Sequence, residues 1–401
     1  MPLTGNVLND PHPREPVSAA VRPATILQVV PALVTGGVER GTVDVAAAIV
    51  QGGGNALVAS AGGPMVHELE RSGARHITLP LDRKTPWAIA RNAQLLAALI
   101  EAEHVDIVHA RSRAPAWSAL RAARRTGRPF VTTFHGVYNF SGRLKHWYNS
   151  VMARGDRVIA TSDYIARHII ENYGGDPARI RLIHRGVDVA LLDPRAVKPD
   201  RVIALAREWR LPDGVPVIML PGRVTRWKGH QVLLQALARL GRRDLLCLIV
   251  GPEDSKERYR RELEAQVESL GLAGLVRFVG LCRDMPSAYM LADVVVSAST
   301  DAEGFGRIAA EASAMGRPVV ATDHGGARET VVPGETGWLV PPADADALAA
   351  ALDAALGLHS SERQALGVRA QAHIRASFTK DRMCADTLAL YAEILQGQSP
   401  A

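Results

Sequence analysis

The chain has 401 residues, with 47 lysines and arginines against 41 acidic residues, a formal net charge of +6 and 47% hydrophobic residues. Single cores stop growing near about 250 to 300 residues, so this length predicts two domains, and the ordinary apolar fraction excludes a disordered chain. The three cysteines, Cys247, Cys282 and Cys384, lie far apart, which excludes a CxxC zinc site and a disulfide framework and favours a reducing compartment.

In chain order, residues 1–23 carry five prolines and several charges instead of an apolar signal segment, and we interpret them as a flexible tail. Short β-branched runs then alternate with helical patterns, which is typical of parallel α/β architecture. Strands of the first half are predicted at residues 25–30, 56–60, 77–79, 107–109, 130–134, 157–160 and 181–183. The long uncharged stretch 45–67 contains three consecutive glycines, so it is interpreted as helix, turn and strand instead of a membrane span.

The same pattern restarts in the second half, with strands predicted at residues 217–220, 245–250, 276–279, 294–297 and 318–321. We therefore expect two doubly wound, Rossmann-like α/β domains, at residues 24–195 and 196–378. A ligand is expected between them, where the carboxyl ends of the strands meet. The last segment, residues 379–401, contains a helical pattern that we expect to pack back on the first domain.

Basic residues are concentrated in one segment of the first half. Between residues 111 and 157 there are ten lysines and arginines and a single acid. The predicted patch consists of Arg111, Arg113, Arg124, Arg125, Arg143, Lys145 and Trp147. It suits an anionic acceptor or an anionic lipid surface, and solvated helix faces remain the simpler interpretation. No helix-turn-helix, zinc-finger or RRM signature accompanies it, so no nucleic-acid partner is predicted.

Two glycines and two cations stand where a phosphate-binding cleft would need them. Gly36 and Gly37 begin a helix after the first strand, where backbone N–H groups attract anions. Arg223 and Lys228 follow the first strand of the second half and could hold a diphosphate without a metal ion. The Walker and GxGxxG nucleotide motifs are absent, and the DxD at residues 344–346 begins a helix, where its carboxylates serve as caps. No metal and no cofactor are predicted.

The most specific pattern is the pair of carboxylates Glu303 and Glu311, eight residues apart around a helix start. Eight helical residues rise about 12 Å, so the two acids contact different parts of an elongated ligand. Between them, the backbone N–H groups of Gly304, Phe305 and Gly306 suit a phosphate or the sugar beside it.

Taken together, Gly36-Gly37, His135, Arg223 with Lys228, and the EX7E motif from Glu303 to Glu311 resemble the retaining GT-B glycosyltransferases of family 4. The resemblance covers roughly residues 25–395. It implies the GT-B fold, in which an acceptor-side N-terminal domain and a nucleotide-sugar-binding C-terminal domain face a central cleft.

The resemblance also implies roles for individual residues. His135, Glu303, Arg223 and Lys228 would form the catalytic set, in which Arg223 and Lys228 bind the donor diphosphate. Glu303 would bind a donor-sugar hydroxyl together with the N–H groups of Gly304, Phe305 and Gly306, and Glu311 would bind the ribose. His135 would lie near the reacting centre, and Gly36 and Gly37 beside the phosphate or the acceptor. Two departures, Arg185 for the usual Asn and Arg307 for an apolar residue, predict a more basic cleft.

The implied activity is retaining, metal-independent transfer of a hexose from GDP-mannose or a UDP-hexose. The expected acceptor is an anionic glycolipid or oligosaccharide of the cell envelope, such as lipopolysaccharide core. A soluble storage-glycan or sucrose-type synthase is the alternative enzyme, and a non-catalytic sugar-nucleotide-binding subunit is the alternative of another class. The protein is expected in the cytoplasm, peripheral on the inner face of the cytoplasmic membrane.

Overall fold

The computed structural model describes residues 22–34, 36–138, 142–252 and 258–397. Its first half alternates strands and helices in the order β1 (Thr25–Val29), α1 (Gly37–Gln51), β2 (Asn55–Ser60), α2 (Val66–Arg71), β3 (Arg75–Thr78), α3 (Pro86–Ala102), β4 (Ile107–Ala110), α4 (Arg113–Thr126), β5 (Phe130–Phe134), α5 (Arg143–Asn149), β6 (Arg157–Ala160), α6 (Asp163–Tyr173) and β7 (Ile180–Leu182).

The second half continues with α7 (Pro199–Glu208), β8 (Val217–Pro221), α8 (His230–Leu240), β9 (Leu246–Val250), α9 (Arg258–Ser269), β10 (Val276–Gly280), α10 (Met285–Leu291), β11 (Val294–Ser297), α11 (Arg307–Ala314), β12 (Val319–Thr322), α12 (Ala327–Thr330), β13 (Trp338–Val340), α13 (Ala345–Leu356), α14 (Ser360–Ser377) and α15 (Lys380–Gln396). The described helices include none that is long and apolar enough to cross a membrane.

Each half contains one parallel sheet, with strand orders β3-β2-β1-β4-β5-β6-β7 and β10-β9-β8-β11-β12-β13. In both sheets the chain reverses its direction of winding beside the first strand, between β1 and β4 and between β8 and β11. The loops after these strands diverge there and leave a crevice. The prediction of two doubly wound α/β domains is therefore confirmed.

Apolar side chains on both faces of each sheet explain why the strands form near-continuous hydrophobic runs. All five residues of β1, β5, β8 and β9 are buried. Two separate clusters of buried residues lie on the two faces of each sheet, packed against the crossover helices. The rigid sheets hold the loops at their carboxyl edges in fixed positions.

Helix α15 leaves the second half and packs on the first. Met383, Cys384 and Tyr391 belong to the cluster that covers β1, β2 and α1. The hydroxyl of Tyr391 lies 2.6 Å from Nδ1 of His109, a fully buried histidine whose Nε2 lies 2.7 Å from Oγ1 of Thr133. These contacts give His109 a packing role.

The seven strands predicted in the first half are present, with bounds that agree or differ by at most two residues. The second half has one strand more than predicted, β13. Its three residues follow the turn that hydrogen-bonds Gly334 to Gly337 and are too short to show a strand periodicity. The DxD prediction is confirmed, because Asp344 caps α13 by accepting hydrogen bonds from the N–H groups of Asp346 and Ala347.

Candidate active site

The loop after β8 carries Arg223 and Lys228 to the crevice of the second sheet. Residues 226–228 form a single 3-10 turn that ends at Gly229, whose φ of 72° is left-handed. A Cβ atom on Gly229 would lie 1.8 Å from the carbonyl oxygen of Ala298, just after β11. Only glycine allows this close approach, which brings Lys228 next to the loop that contains Glu303.

Lys228 and Glu303 form a buried ion pair in this crevice. The Lys228 ammonium donates to Oε1 of Glu303 over 2.7 Å, and the Ser299 hydroxyl donates to the same oxygen over 2.5 Å. Burial alone would raise the pKa of Glu303, but attraction and a hydrogen bond from Lys228, with the bond from Ser299, outweigh it and lower this pKa. Glu303 is therefore a carboxylate at neutral pH, and its second oxygen can accept a ligand hydroxyl.

Glu311 belongs to a different set of contacts on α11. Its Oε1 accepts from Nε of Arg307 over 2.5 Å, and its Oε2 accepts from the Tyr289 hydroxyl over 2.8 Å. Tyr289 is fully buried, and the neighbouring Glu311 charge raises the pKa of its phenol in addition to the effect of burial. The two motif glutamates thus have separate partners, as their spacing predicts.

The glycines of the motif bring the two domains together. A Cβ atom on Gly304 would lie 2.3 Å from the carbonyl oxygen of His135, so only glycine permits this backbone contact across the cleft. Gly306 adopts the left-handed conformation, with φ of 78°, and α11 begins directly after it. The N-terminus of α11 therefore faces the end of β5, where His135 stands.

His135 is neutral and has a defined tautomer. Nδ1 of His135 lies 3.3 Å from a guanidinium nitrogen of Arg185, which can only donate, so the imidazole proton is on Nε2. Burial, followed by the charges of Arg111 and Arg185, lowers the pKa of His135 well below its ordinary value. Its buried Nε2 has no hydrogen-bond partner among the described residues. His135 thus offers a free N–H donor.

On the first domain, the two glycines predicted to approach an anion begin α1. The position that a Gly37 Cβ would occupy lies 3.4 Å from guanidinium nitrogens of both Arg185 and Arg307. Arg307 comes from α11 of the second domain, so the two cations meet at the cleft. Arg185 and Arg307, noted in the sequence only as departures from the family, are thus part of the site.

Arg223 differs from its predicted partner Lys228. Its side chain is exposed and forms no hydrogen bond or ion pair with any described residue. The loop is nonetheless close to the ion pair, because a Cβ atom on Gly222 would lie 3.6 Å from Cε of Lys228. Arg223 is therefore an exposed cation beside the buried pair.

The predicted basic patch is not one surface. The prediction that Arg111 lies on the surface is wrong, because this residue is only 3% exposed and its guanidinium donates to Oε1 of Gln28. Its position directly after the buried strand β4 turns it toward α1. Arg113 donates to Asn149, and Arg124 is paired with Asp156.

The other members of the patch, Arg125 on α4 and Arg143, Lys145 and Trp147 on α5, are exposed. The Trp147 ring stacks on Trp117 with 4.5 Å between centroids. This stacking fixes α5 against α4 while leaving half of the Trp147 surface accessible to solvent.

A second contact across the cleft is made by Glu329 of α12. Its carboxylate accepts from the backbone N–H groups of Asp163 and Tyr164, at the first turn of α6, and lies 2.9 Å from Nε2 of His184. Ligand atoms of Asp163, His184 and Glu329 lie within 4.8 Å of one another, the one such group among the described residues. Because hydrogen bonds already engage both Glu329 oxygens, this group acts as a clamp between the domains.

Sequence reasoning missed Ser299, Tyr289 and Glu329. Ser299 and Tyr289 reach the motif glutamates from the end of β11 and from α10, and Glu329 reaches the first domain from α12. No spacing rule links these residues to their partners, because the contacts depend on the packing of separate elements.

Comparison with known proteins identifies the family to which this chain belongs. Residues 35–191 match the model described as Glycosyltransferase Family 4, and residues 202–373 match the one described as Glycosyl transferases group 1. The curated D-inositol 3-phosphate glycosyltransferase of Actinosynnema mirum is 32% identical over 314 residues, 73% of each chain. The chain belongs to the family 4 glycosyltransferases. It is a glycosyltransferase enzyme.

One further relative and two solved structures also match most of this chain. The D-inositol 3-phosphate glycosyltransferase of Salinispora tropica is 30% identical over 322 residues, which are 74% of this chain and 65% of the relative. A solved glycosyltransferase from Rickettsia africae is 38% identical, with a TM-score of 0.86 over 94% of this chain and all of that one. Anabaena Alr3699/HepE, solved with UDP and glucose, is 25% identical, with a TM-score of 0.81 over 92% of this chain and all of that one. These matches confirm the GT-B fold.

Proposed function

We propose that this glycosyltransferase moves a hexose from a UDP-sugar to an anionic glycan or glycolipid of the cell envelope, with retained anomeric configuration and without a metal ion. The observation that carries the proposal is the buried Lys228–Glu303 pair beside the N-terminus of α11. It offers one cation for a leaving diphosphate and one carboxylate oxygen for a sugar hydroxyl, next to each other.

Positive charge for the leaving group comes from the protein itself. Lys228 is held in place by Glu303, Arg223 is free to close on a phosphate, and the first turn of α11 presents backbone N–H groups. Preorganised donors of this kind stabilise negative charge as it develops on the diphosphate. A metal ion is not needed for that role.

Retention is supported by the state of the groups near the reacting centre. One Glu303 oxygen is engaged by Lys228 and Ser299, which makes this carboxylate a weak nucleophile. His135 is neutral and carries its proton on the free Nε2, so it can donate to the substrates but cannot accept a proton there. The leaving diphosphate would then take the acceptor proton, which requires attack on the face that the nucleotide leaves.

The donor is proposed as a UDP-hexose because Anabaena Alr3699/HepE, 26% identical to this chain, has been solved with UDP-glucose. GDP-mannose is the competing donor. Thermal shift with UDP, GDP and ADP tests this choice, since ligand at 100 times Kd stabilises by about 2.7 kcal/mol. NMR of the transferred sugar then reports the anomeric configuration. An inverted product would reject retention, and full activity after removal of metals by chelator is expected.

For the acceptor, a second candidate is favoured by the curated relatives, which are named D-inositol 3-phosphate glycosyltransferases. That name suggests a small phosphorylated cyclitol in place of an envelope glycan. The solved sucrose-phosphate synthase is 23% identical, which shows the shared fold alone. Parallel transfer assays with inositol 3-phosphate and with lipid-linked oligosaccharide separate the two candidates.

Peripheral membrane contact is proposed for α5. This helix exposes Arg143, Leu144, Lys145 and Trp147, with Leu144 84% exposed. Exposed apolar and aromatic side chains beside two cations suit an anionic leaflet. Flotation with vesicles containing anionic lipid should recover the wild type at low salt, and the variant with Arg143→Glu and Lys145→Glu should remain at the bottom of the gradient. Equal recovery of both would reject this surface.

A further inference from the structure

We propose that Arg111, Arg185 and Arg307, which we call the arginine cluster, bind a phosphate group carried by the acceptor. This phosphate site lies beside the site for the donor diphosphate and is separate from it. The inference rests on the proposed function and adds to it the chemical group by which the acceptor is recognised.

The cluster converges on the first turns of α1. Guanidinium nitrogens of Arg185 and Arg307 lie equally far, 3.4 Å, from the position of a Gly37 Cβ. One turn later, guanidinium nitrogens of Arg111 and Arg185 lie 3.1 and 3.3 Å from the position of a Gly41 Cβ. Arg185 is therefore the centre of the cluster, with a second cation on either side of it.

Arg111 and Arg185 lack the carboxylate partners that buried arginines usually have. The Arg185 side chain is hydrogen-bonded to His135, and Arg111 to the neutral Gln28. Nε of Arg111 is buried and has no partner among the described residues. Burial, and then the charges of Arg307 and Arg111, lower the pKa of Arg185 to about 9.

The acids of α1 offset the charge of the cluster only in part. Asp44 attracts all three arginines and Glu39 attracts Arg185 through space, but neither accepts a hydrogen bond from a described arginine of the cluster. The Glu39 carboxylate instead lies against Gly36. Arg307 donates a hydrogen bond to Glu311 of its own helix. Like charges gathered at a helix N-terminus are costly unless an anion joins them, and a phosphate offers several oxygens to guanidinium groups and backbone N–H groups together.

The position of the cluster points to the acceptor. Arg111 and Arg185 follow β4 and β7 of the first domain, whereas the proposed diphosphate ligands Arg223 and Lys228 follow β8 of the second. Arg185 also contacts His135, whose backbone touches Gly304 at the proposed donor sugar. A phosphate on Arg185 would thus place the rest of an acceptor next to that sugar.

The test is a titration of inorganic phosphate into enzyme already saturated with UDP, and with GDP in parallel, followed by thermal shift. We expect saturable stabilisation of the nucleotide-bound wild type. Arg185→Asn should raise the phosphate Kd at least ~10-fold, as loss of a charged hydrogen bond predicts, while the UDP Kd changes less than about twofold. Arg185→Lys should give an intermediate phosphate Kd.

Arg167→Asn is the matched control, because Arg167 is an exposed arginine of the same domain on α6, and it should leave the phosphate Kd unchanged. Mutually exclusive binding of phosphate and nucleotide, or equal weakening of both by Arg185→Asn, would assign the cluster to the donor diphosphate and overturn the proposal. Phosphate binding is read without turnover. Absence of transfer from any UDP- or GDP-hexose would instead count against the proposed function.

Discussion

The two walls of the cleft are built on the same sheet architecture but balance charge in opposite ways. On the second domain, Lys228 and Arg307 are paired with Glu303 and Glu311. On the first domain, the buried Arg111 has no carboxylate partner among the described residues. The paired wall is organised before a ligand binds, whereas the unpaired wall has charge left for a ligand.

This difference suggests that the two walls have different tasks. A buried ion pair adds little net stability, because desolvation offsets much of its attraction, but it fixes both groups in one geometry. That suits a donor site in which a sugar and a diphosphate need exact placement. Unpaired cations suit recognition of an incoming anion.

Removing the cation of the paired wall should have the largest effect. We expect Lys228→Ala to lower kcat at least ~100-fold, the size of a lost electrostatic donor, and to destabilise the fold by about 3 kcal/mol, because Glu303 is left buried without its cation. The double variant with Glu303→Ala should regain stability without regaining activity. Steady-state kinetics and urea unfolding measure the two quantities.

Arg226→Ala is the matched control for this experiment. Arg226 lies two residues before Lys228, is 60% exposed on its side chain and pairs with Glu262 at the surface. Surface pairs contribute about 1 kcal/mol or less, so this variant should keep near-normal kcat. Near-normal kcat in folded Lys228→Ala protein would remove the diphosphate role from the paired wall.

The residues of the paired wall could be predicted from the sequence, whereas the sequence predicted a more basic cleft but not which arginines meet on the unpaired wall, for a physical reason. Glu303, Glu311 and Lys228 lie in local motifs that the chain order presents directly. Arg185 follows β7, and its neighbours on α1 and β4 are more than 70 residues away in the chain. The fold itself was predictable because hydrophobic runs are local, whereas β13 was not predicted because three residues are too few to show an alternating pattern.

Loss of charge at the second motif glutamate should have a smaller effect. Glu311→Gln keeps an acceptor for the Tyr289 hydroxyl but weakens the attraction of Arg307. We propose that Glu311 hydrogen-bonds the ribose of UDP, and loss of that charged hydrogen bond should raise the UDP Kd about 10-fold. Calorimetry with UDP and 2′-deoxy-UDP measures it. If the variant weakens both nucleotides equally, Glu311 does not bind the 2′-hydroxyl.

Loss of the Glu329 charge, in the clamp between the two walls, should have a smaller effect on catalysis. Glu329→Gln leaves acceptor capacity but removes a charge from the N-terminus of α6 and from His184. At about 1 kcal/mol for this helix-end charge, we expect kcat/KM to fall about fivefold with kcat at saturation nearly unchanged. Small-angle scattering should show a wider average cleft. Glu264→Gln, on the solvent side of α9, is the control and should change neither quantity.

The smallest effect concerns stability in acid at the base of the paired wall, where His230 begins α8. Burial lowers the pKa of His230 to about 4, below the ordinary value near 6.5 that the unfolded chain has. The unfolded state therefore binds the proton first, and stability falls as pH decreases from about 6.5 toward 4. Between pH 6.5 and 5.5, His230 should account for a decrease of about 1 kcal/mol in the free energy of unfolding, measured with urea. This decrease should be absent in His230→Gln and present in His67→Gln, which changes an exposed histidine. Equal losses in both variants would mean that His230 is protonated in the folded protein, so that the paired wall holds a further positive charge.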